Sequence, residues 1–372
     1  MTSLRQTNRR DFLTKASLSV AAVSQLGRQS PRGKDEPFRV GCLNVYNYSH
    51  LLPLWAPLMN PRESNKEIAL TGMRITHCWE IDPEKAAEFA RIYHCEAVRN
   101  FDDMVGKVDG IISGGYYNYP WNHVLHEPYL EAGLPNLINR PFASSLLKAR
   151  KMVDTARKHG STILCPSAFE HTEAIARAKA WVADKKILCY SATNLFDEYP
   201  THGVHGLYMI HRAIAEAGNP IISVAYQSKN WYSTPGVMTF EHHDKTGNPF
   251  LGTLHQINGG TWGTLQIHTP GEYGAKAFDI QAGSGSGFPF SVTEAWAPTI
   301  WAYQRMAIYK EMPESFDDIL EKTRVFLAGF RSVLGSGNAV RLDDVPEDWE
   351  APVELPSKAG DPTVGLLRKM FG

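Results

Sequence analysis

The chain of 372 residues is 43% hydrophobic and 21% charged, which is typical of a globular protein long enough for two domains with separate cores. Its 38 basic and 39 acidic side chains leave a formal net charge of −1, so the chain lacks the basic field that attracts nucleic acid. No apolar run reaches the roughly 18 residues of a membrane-spanning helix, and neither a nucleic-acid partner nor a membrane span is expected.

Residues 1–36 are predicted to be an export signal and a linker. Arg9 and Arg10 precede the modest apolar run Ala16–Val23, a pattern that resembles a twin-arginine signal. The alternative is an amphipathic first helix, but the polar residues 25–37 that follow favour the signal. We therefore expect a periplasmic or other extracytoplasmic protein. Because this route exports folded proteins, it suits an enzyme that carries a cofactor.

Residues 37–165 alternate short apolar runs with helical segments, which predicts a Rossmann-like α/β domain on a doubly wound parallel sheet. Asp82 and Pro83 indicate a helix start, and Gly133 and Gly160 indicate helix ends. The predicted elements are strands Arg39–Val45, Arg74–Trp79, Gly110–Ser113, Asn136–Ile138 and Thr162–Cys165, with helices Pro83–Tyr93, Pro120–Ala132 and Ser144–His159 between them.

Residues 166–345 are predicted to form an α+β domain with an open, mostly antiparallel or mixed sheet, because β-branched and aromatic runs replace the alternating pattern. Residues 346–372 are expected to be a C-terminal tail. The predicted elements are a linking helix at Glu173–Ala183, strands Leu188–Leu195, Ile221–Tyr226, Gly260–His268 and Ala277–Ala282, and a late helix at Ser315–Leu334.

The five cysteines are predicted to be free thiols, mostly buried. They are odd in number, lack the spacing of two residues that metal sites use, and mostly lie in apolar runs. They are Cys42, Cys78, Cys95, Cys165 and Cys189.

A basic residue, Arg140, follows the predicted strand Asn136–Ile138 directly. Ligands of parallel α/β sheets gather beyond the carboxyl ends of the strands, so Arg140 is a candidate site residue. A guanidinium stays protonated and offers a planar fork of donors; it suits binding a carboxylate or polarising a carbonyl better than shuttling protons. The alternative is a structural ion pair at the boundary between the domains.

Residues 38–335 resemble the Gfo/Idh/MocA family of nicotinamide-dependent sugar and polyol oxidoreductases. Four segments carry the resemblance, in the family's order: Trp79–Ala86, Leu130–Ala143, Gly203–His205 and Pro313–Ser315. The resemblance implies a two-domain fold with the site in the cleft, NAD or NADP as cofactor, a small-molecule carbohydrate substrate, and a homo-oligomer, a dimer or tetramer, formed through the second sheet.

The same resemblance implies roles for individual residues. Glu80 would hold the adenosine ribose, which favours NAD because a carboxylate repels a 2′-phosphate. Asn118 and Asn139 would line the nicotinamide end. Arg140 takes the place of the family's lysine and would orient a substrate oxygen, and His205 would move the proton, with His202 as its nearest ionisable neighbour.

The cofactor loop departs from the family pattern, since Asn44, Tyr46 and Ser49 stand where glycines are expected. Glycine is used there because the turn needs permissive dihedrals and the backbone must approach a pyrophosphate closely. Asn tolerates left-handed geometry and Ser suits a helix start, but Tyr46 obstructs the closest approach. A bound nucleotide would be displaced, or stacked on Tyr46 or Tyr48.

The histidine motif departs as well, because Thr201 and Tyr208 occupy the places of the family's two acids. Glu198 or Tyr208 is then the candidate to orient His205. The alternative is that His202 and His205 bond only backbone groups at a helix start.

Two further groups of residues have the composition of a functional site. His202 and His205 with Glu198, or the run His242–Asp244, have the residue types of a metal site, but the spacing is weak evidence and no metal is expected. Aromatic residues of the second domain would suit a sugar-stacking wall, although any one of them is more often core. They include Trp231, Tyr232, Trp262, Trp296 and Trp301.

Three functions follow from the sequence. The first is an exported NAD(P)-dependent oxidoreductase acting on a sugar, a polyol or a sugar-derived acid. The second is a non-catalytic or repurposed carbohydrate-binding relative that has lost hydride transfer, suggested by the altered loop, lysine and acids. The third is a metal-dependent lyase or hydrolase that uses the histidine pairs.

Overall fold

Short runs of buried residues form a first sheet in which every strand is parallel to its neighbours. The computed structural model describes residues 36–46, 49–60, 72–196, 198–258, 263–271, 274–280, 296–353 and 362–372. The strands are β1 (Phe38–Leu43), β2 (Met73–Trp79), β3 (Glu96–Ala97), β4 (Gly110–Ser113), β5 (Asn136–Ile138) and β6 (Ile163–Leu164), in the order β3-β2-β1-β4-β5-β6. This is the doubly wound order with its switch point between β1 and β4, where ligands of such sheets bind.

Helices cover both faces of this sheet, which explains why β4 and β5 are buried at every residue. The Asp82 carboxylate caps one helix by accepting from Glu84 N at 3.0 Å, and Gly160 ends another in the left-handed region. The helices are α1 (Ala56–Met59, after a π-helical turn at Leu51–Trp55), α2 (Pro83–Tyr93), α3 (Asn122–Leu125), α4 (Glu127–Glu131) and α5 (Leu146–His159).

The helix predicted at Pro120–Ala132 is divided into α3 and α4. Pro128 has no N–H to donate to the carbonyl of Val124, and its ring crowds that carbonyl, so the hydrogen-bond ladder breaks near His126.

The second sheet is mixed, which confirms the predicted fold class. Only β7 and β10 pair in parallel; the other neighbours are antiparallel. Its strands are β7 (Cys189–Phe196), β8 (Ile221–Gln227), β9 (Val237–His243), β10 (Pro249–Asn258), β11 (Gly263–His268), β12 (Lys276–Asp279) and β13 (Val340–Arg341), in the order β12-β11-β7-β10-β9-β8-β13.

Further helices follow the first domain in the chain, and some of them pack against the second sheet. The late helix begins at a capping box in which Ser315 and Asp318 bond each other's backbone N–H, and it packs against β8. The helices are α6 (Glu173–Val182), α7 (Val204–Ile210, between π-helical turns at Tyr199–Gly203 and His211–Ala215), α8 (Ala297–Tyr309), α9 (Phe316–Leu334) and α10 (Pro362–Phe371), with a 3₁₀ turn at Leu342–Asp344.

The predicted C-terminal tail lies against the first sheet's helices. Ala351 N donates to Ser144 O at 2.7 Å, and Trp121 Nε1 donates to the carbonyl of Gly372 at 3.2 Å. Helix α10 buries Leu367 in a cluster that includes Trp79. The chain therefore returns from the second sheet to cover the first domain.

All five cysteines are free thiols, as predicted. Three are buried, Cys95 is half-buried and Cys189 is exposed on β7. Within the described ranges, no helix is long and apolar enough to cross a membrane.

A buried ion cluster joins α9 to the segment that leaves the first sheet. Lys322 Nζ lies 2.9 Å from Glu170 Oε1 and contacts Glu314, and it also donates to Cys165 O at 2.9 Å. Glu314 accepts from Cys165 N at 2.6 Å. A buried lysine shared by two buried carboxylates offsets the cost of removing all three charges from water.

Replacing Lys322 by Met is expected to lower the free energy of unfolding by about 3–5 kcal/mol, because two buried carboxylates lose their cation. Urea denaturation measures this. The control is Lys151→Met, whose pair with Glu127 joins side chains that are 50% and 35% exposed; its loss should be under about 1 kcal/mol. Similar losses in both variants would contradict this view of the cluster.

Candidate active site at the carboxyl edge of the first sheet

The two principal catalytic candidates meet at the carboxyl end of β5. Arg140 follows that strand, and His205 lies in the first turn of α7. The Arg140 Nη2 atom is 2.7 Å from His205 Nε2, although 65 residues separate them in the chain. This buried polar contact therefore joins the first sheet to the second domain.

This contact fixes the tautomer of His205. Arginine can only donate, so Nε2 of His205 accepts and the ring proton sits on Nδ1. Nδ1 lies 2.7 Å from Ser167 Oγ, which therefore accepts, and which also accepts from Phe169 N at 3.2 Å. Burial first, and then the charges of Arg140 and His202, hold the pKa of His205 well below its usual range.

Ser167 was missed by the sequence analysis. The available signal was its position two residues after the predicted strand Thr162–Cys165, beside the end of the strand that precedes Arg140. Phe169 adds to the frame, because its ring stacks on His205 with centroids 4.9 Å apart.

Arg140 is 1% exposed. Its Nη1 donates to Asn139 Oδ1 at 3.2 Å, while Asn139 Nδ2 donates to Gly114 O at 2.7 Å and so fixes that amide. The ring of Tyr116 lies 4.8 Å from the guanidinium carbon. Burial lowers the pKa of Arg140 to about 10, so the group remains a cation at neutral pH.

His50, which the sequence analysis did not identify, closes the other side of this group. Its ring is 4.5 Å from the Trp296 ring, 4.7 Å from the Tyr116 ring and 6.4 Å from the His205 ring, measured between centroids. Burial, together with the charge of Arg140, keeps the pKa of His50 well below its usual range. The site thus has one fixed cation among neutral rings.

Trp296 is the one of the predicted stacking aromatics that contacts this group. Trp231 packs against Phe330 in the core, Tyr232 and Trp301 are half-buried against the core, and Trp262 lies outside the described residues.

Glu198 is a buried acid that lies outside the two positions, Thr201 and Tyr208, where the family's acids are expected. It accepts from Tyr117 OH at 2.7 Å and from Thr201 Oγ1. His202 Nδ1 is 2.9 Å from Thr201 Oγ1 and 3.9 Å from Glu198 Oε1, and its side chain is 24% exposed. His202 is therefore the member of the histidine pair that reaches solvent.

Tyr208, the other candidate to orient His205, contacts a different group. Its hydroxyl lies 3.7 Å from Cys165 Sγ, and its ring packs on the Lys322 ammonium at 4.4 Å. Ser167 orients His205 in place of the two predicted candidates.

The loop after β1 adopts the geometry that its sequence suggests. Asn44 has φ of 50°, so asparagine supplies the left-handed residue in place of a glycine. Asn118 Nδ2 lies 2.9 Å from Ser113 Oγ and 3.4 Å from Asn44 Oδ1. Asn44 Nδ2 and Asn118 Oδ1 are buried with no hydrogen-bond partner among the described groups.

Glu80 lies at the end of β2 and is 2% exposed. Its Oε2 accepts from Tyr46 N and its Oε1 from Ile81 N, each at 3.0 Å. The ring of Tyr46 carries the Lys85 ammonium 4.3 Å from its centroid. The predicted ribose-binding acid is thus tied to the cofactor loop itself.

Ser49 begins the helical turn after the loop, where its Oγ accepts from Leu51 N at 3.1 Å. Gly114 lets this turn approach, because a Cβ there would clash with Ser49 Oγ. Tyr48 lies outside the described residues.

The run His242–Asp244 does not form a metal site. His242 is buried, with Nε2 2.8 Å from Tyr190 OH and Nδ1 2.8 Å from Asn219 O, so both ring nitrogens are used. Across the part of the chain that the structure describes, no group of three His, Cys, Asp or Glu side chains could hold a metal ion.

Comparison with known proteins supports the fold. No protein-family model and no curated protein matches the sequence, but solved structures match over most of its length. They include a putative myo-inositol dehydrogenase from Sinorhizobium meliloti 1021 (15% identity, 82% of this chain and 99% of that chain covered, TM-score 0.63).

Two further matches come from Lactobacillus casei. Its myo-inositol dehydrogenase in complex with NAD(H) and myo-inositol is 14% identical, with 82% and 96% of the two chains covered and a TM-score of 0.65. Its scyllo-inositol dehydrogenase with NAD(H) and scyllo-inositol is 11% identical, with 83% and 100% covered and a TM-score of 0.65. At such identities the likeness shows the fold, and at that level it confirms the resemblance predicted from the sequence.

Imidazole ¹⁵N spectra at pH 7.5 are expected to separate two buried histidines. His205 should be neutral, with its proton on Nδ1, because burial and the charge of Arg140 hold its pKa well below the usual range. Although burial lowers the pKa of His211, the carboxylates of Glu216 and Glu321, each 3.6 Å from a ring nitrogen, raise it to about 9. His211 should therefore be an imidazolium.

The raised pKa of His211 makes its contribution to the stability of the fold depend on pH. The contribution of His211 is complete below its ordinary pKa of about 6.5 and is lost as the pH rises through about 9. His205→Gln and His211→Gln variants assign the signals. A protonated His205 at pH 7.5, or a proton on its Nε2, would contradict the geometry described.

Proposed function

We propose that the protein is an oxidoreductase that moves a hydride between NAD or NADP and a carbohydrate: a polyol, a sugar or a sugar-derived acid. The observation that carries this proposal is the contact between Arg140 and His205, 2.7 Å long, at the carboxyl edge of a Rossmann-like sheet. Support also comes from the fold, which inositol dehydrogenases solved with NAD(H) share.

The donor and acceptor set at the switch point fits such a cofactor. Asn44 Nδ2 and Asn118 Oδ1 are one unpaired donor and one unpaired acceptor among the described residues, which is what a carboxamide requires. Glu80 lies at the end of β2, where an acid of dinucleotide-binding sheets hydrogen-bonds the ribose, and its carboxylate accepts from the backbone N–H groups of Tyr46 and Ile81. When bound, the nicotinamide ring supplies the carbon that accepts or gives up the hydride.

The residues of the chain would position the substrate and handle its proton. Arg140 binds the reacting oxygen through N–H groups, and a fixed cation beside that oxygen stabilises negative charge as it develops. His205 Nε2 takes the proton of the hydroxyl once Arg140 Nη2 turns to the substrate. Ser167 then stabilises the resulting imidazolium by accepting from Nδ1–H. His202, which reaches solvent, is the exit for the proton.

A second function is favoured by a different observation. Glu80 accepts from Tyr46 N, so a carboxylate occupies an amide of the loop that holds pyrophosphate in dinucleotide-binding sheets. A carbohydrate-binding relative that has lost hydride transfer would keep the cleft with its loop closed in this way. Nicotinamide binding separates the two functions.

We further propose that residues 1–36, most of which lie outside the described residues, direct export to an extracytoplasmic compartment, and that the mature protein is a dimer or tetramer. Support for export comes from Arg9, Arg10 and the apolar run after them. Fractionation of expressing cells tests export, and light scattering tests the oligomeric state.

Fluorescence titration is expected to show NADH binding at least 10-fold tighter than NADPH. Glu80→Gln should reduce this ratio by about 10-fold, chiefly through tighter NADPH binding, because the carboxylate repels a 2′-phosphate and about 1.4 kcal/mol corresponds to 10-fold.

The control is Glu84→Gln, in the first turn of α2, which should leave the ratio unchanged. No binding of either nucleotide at millimolar concentration would overturn the proposed function in favour of the carbohydrate-binding relative. An unchanged ratio in Glu80→Gln would remove Glu80 from the ribose site.

A further inference from the structure

Arg140 is a buried cation without an acidic partner. Within the described ranges, no carboxylate lies within 4 Å of its guanidinium; its polar partners are the Asn139 amide and the His205 ring. Five N–H groups are available on a guanidinium. Two of them are used, and the Nε–H has no partner among the described groups.

The described groups in direct contact with the guanidinium carry no compensating charge. His205 and His50 are neutral at pH 7, because burial and the nearby cation keep the pKa of both rings well below the usual range. Glu198 accepts hydrogen bonds from Tyr117 and Thr201, and it favours the Arg140 cation only through space, without an ion-pair contact. An isolated buried charge is unfavourable because it has lost its hydration. An anion that pairs with Arg140 would therefore bind more favourably than a neutral molecule.

The shape of the donor group selects the kind of anion. A guanidinium presents two parallel N–H groups to the two oxygens of a carboxylate. The neighbouring rings of His50, Trp296 and Phe169 are buried against one another and against His205, and rings of this type pack on the C–H face of a sugar once a covering side chain has moved. A neutral polyol would use the rings but would leave the charge of Arg140 uncompensated.

We propose that the physiological substrate is a sugar acid, an aldonate or uronate, whose carboxylate pairs with the unused N–H groups of Arg140. This inference rests on the proposed function for the reaction and narrows its substrate to the anionic members of the carbohydrate class. Arg140 thereby determines specificity as well as position.

Entry of the substrate requires a covering side chain to move. Arg140, His205 and His50 are all buried, and Tyr116 lies over the guanidinium. The carboxylate replaces the cation–π contact with Tyr116 by a charge-assisted hydrogen bond, which is the stronger interaction.

The test is calorimetric binding at pH 7 with matched pairs of probes. D-gluconate is compared with D-sorbitol and D-glucuronate with D-glucose, each with and without NADH, and D-glucose 6-phosphate is included as a different anion. The acid of each pair should bind at least 10-fold more tightly than its neutral partner. D-glucose 6-phosphate should bind more weakly than D-glucuronate.

Two substitutions assign the preference to Arg140. Arg140→Met should abolish it, and Arg140→Lys should keep a reduced preference, because an ammonium retains the charge without the fork. Lys148→Met, a change on α5 that removes a cation paired with Glu350, is the control and should leave the preference intact. Arg140→Lys also serves if Arg140→Met fails to fold.

Equal binding within the pairs, no binding of either acid, survival of the preference in Arg140→Met, or tightest binding of D-glucose 6-phosphate would each overturn the inference. The two proposals fail separately. Acid-selective binding without nicotinamide binding would end the oxidoreductase proposal and leave this one standing. Reduction of NAD by a neutral polyol, with no preference for the acids, would do the reverse.

Discussion

The burial of one guanidinium organises the centre of this protein. Arg140 cannot lose its proton at neutral pH, so every buried group around it must either accept a hydrogen bond or tolerate its field. Asn139 and His205 accept hydrogen bonds from the guanidinium. The proton of the His205 ring must then lie on Nδ1, so Ser167 Oγ must accept the hydrogen bond from Nδ1. Because these residues come from both domains, the same contact also sets the second domain against the first sheet.

Much of the fold could be predicted because local signals agree with it. Buried runs, helix caps and Gly/Pro boundaries identified all the described strands of the first sheet except the short β3, and helix α2 at its observed bounds. In the second domain, strands β9, β10 and β13 and helix α8 were missed. The alternation of β9 is regular, with Met238, Phe240 and His242 buried. In the sequence, however, its histidines are typical of a polar surface or a metal site. Only the fold shows that both ring nitrogens of His242 have hydrogen-bond partners, Tyr190 and Asn219.

The sequence predicted the ionisable residues of the candidate site, but it did not predict the residues that hold them in place. Arg140 and His205 could be identified because strand ends and a family motif mark them. Ser167 and His50 carry only a weak local signal, since a serine after a strand and a histidine before a helix are common. Their roles arise from contacts across many tens of residues. The hydrogen bond from Tyr46 N to Glu80 also joins residues that are far apart in the chain. Because of this bond, the acid predicted to bind the ribose also holds the loop after β1.

The structure separates the parts that hold the fold from the part that awaits a ligand. The Lys322 cluster pairs its buried cation with two acidic side chains, and the C-terminal segment covers the first domain. At the switch point, Asn44, Asn118 and Arg140 each keep a buried polar atom with no hydrogen-bond partner among the described groups. Local rules are commonly broken at functional sites, where a bound molecule restores the missing partners.

A double-mutant cycle on NAD-linked turnover of a sugar acid tests the central claim, that Arg140 and His205 act as one unit. Arg140→Lys and His205→Gln should each lower kcat/KM by about 100-fold or more. The double variant should be little worse than the poorer single variant, because groups that act together lose activity once. Losses that multiply, or a His205→Gln variant with near-normal kcat/KM, would contradict the account.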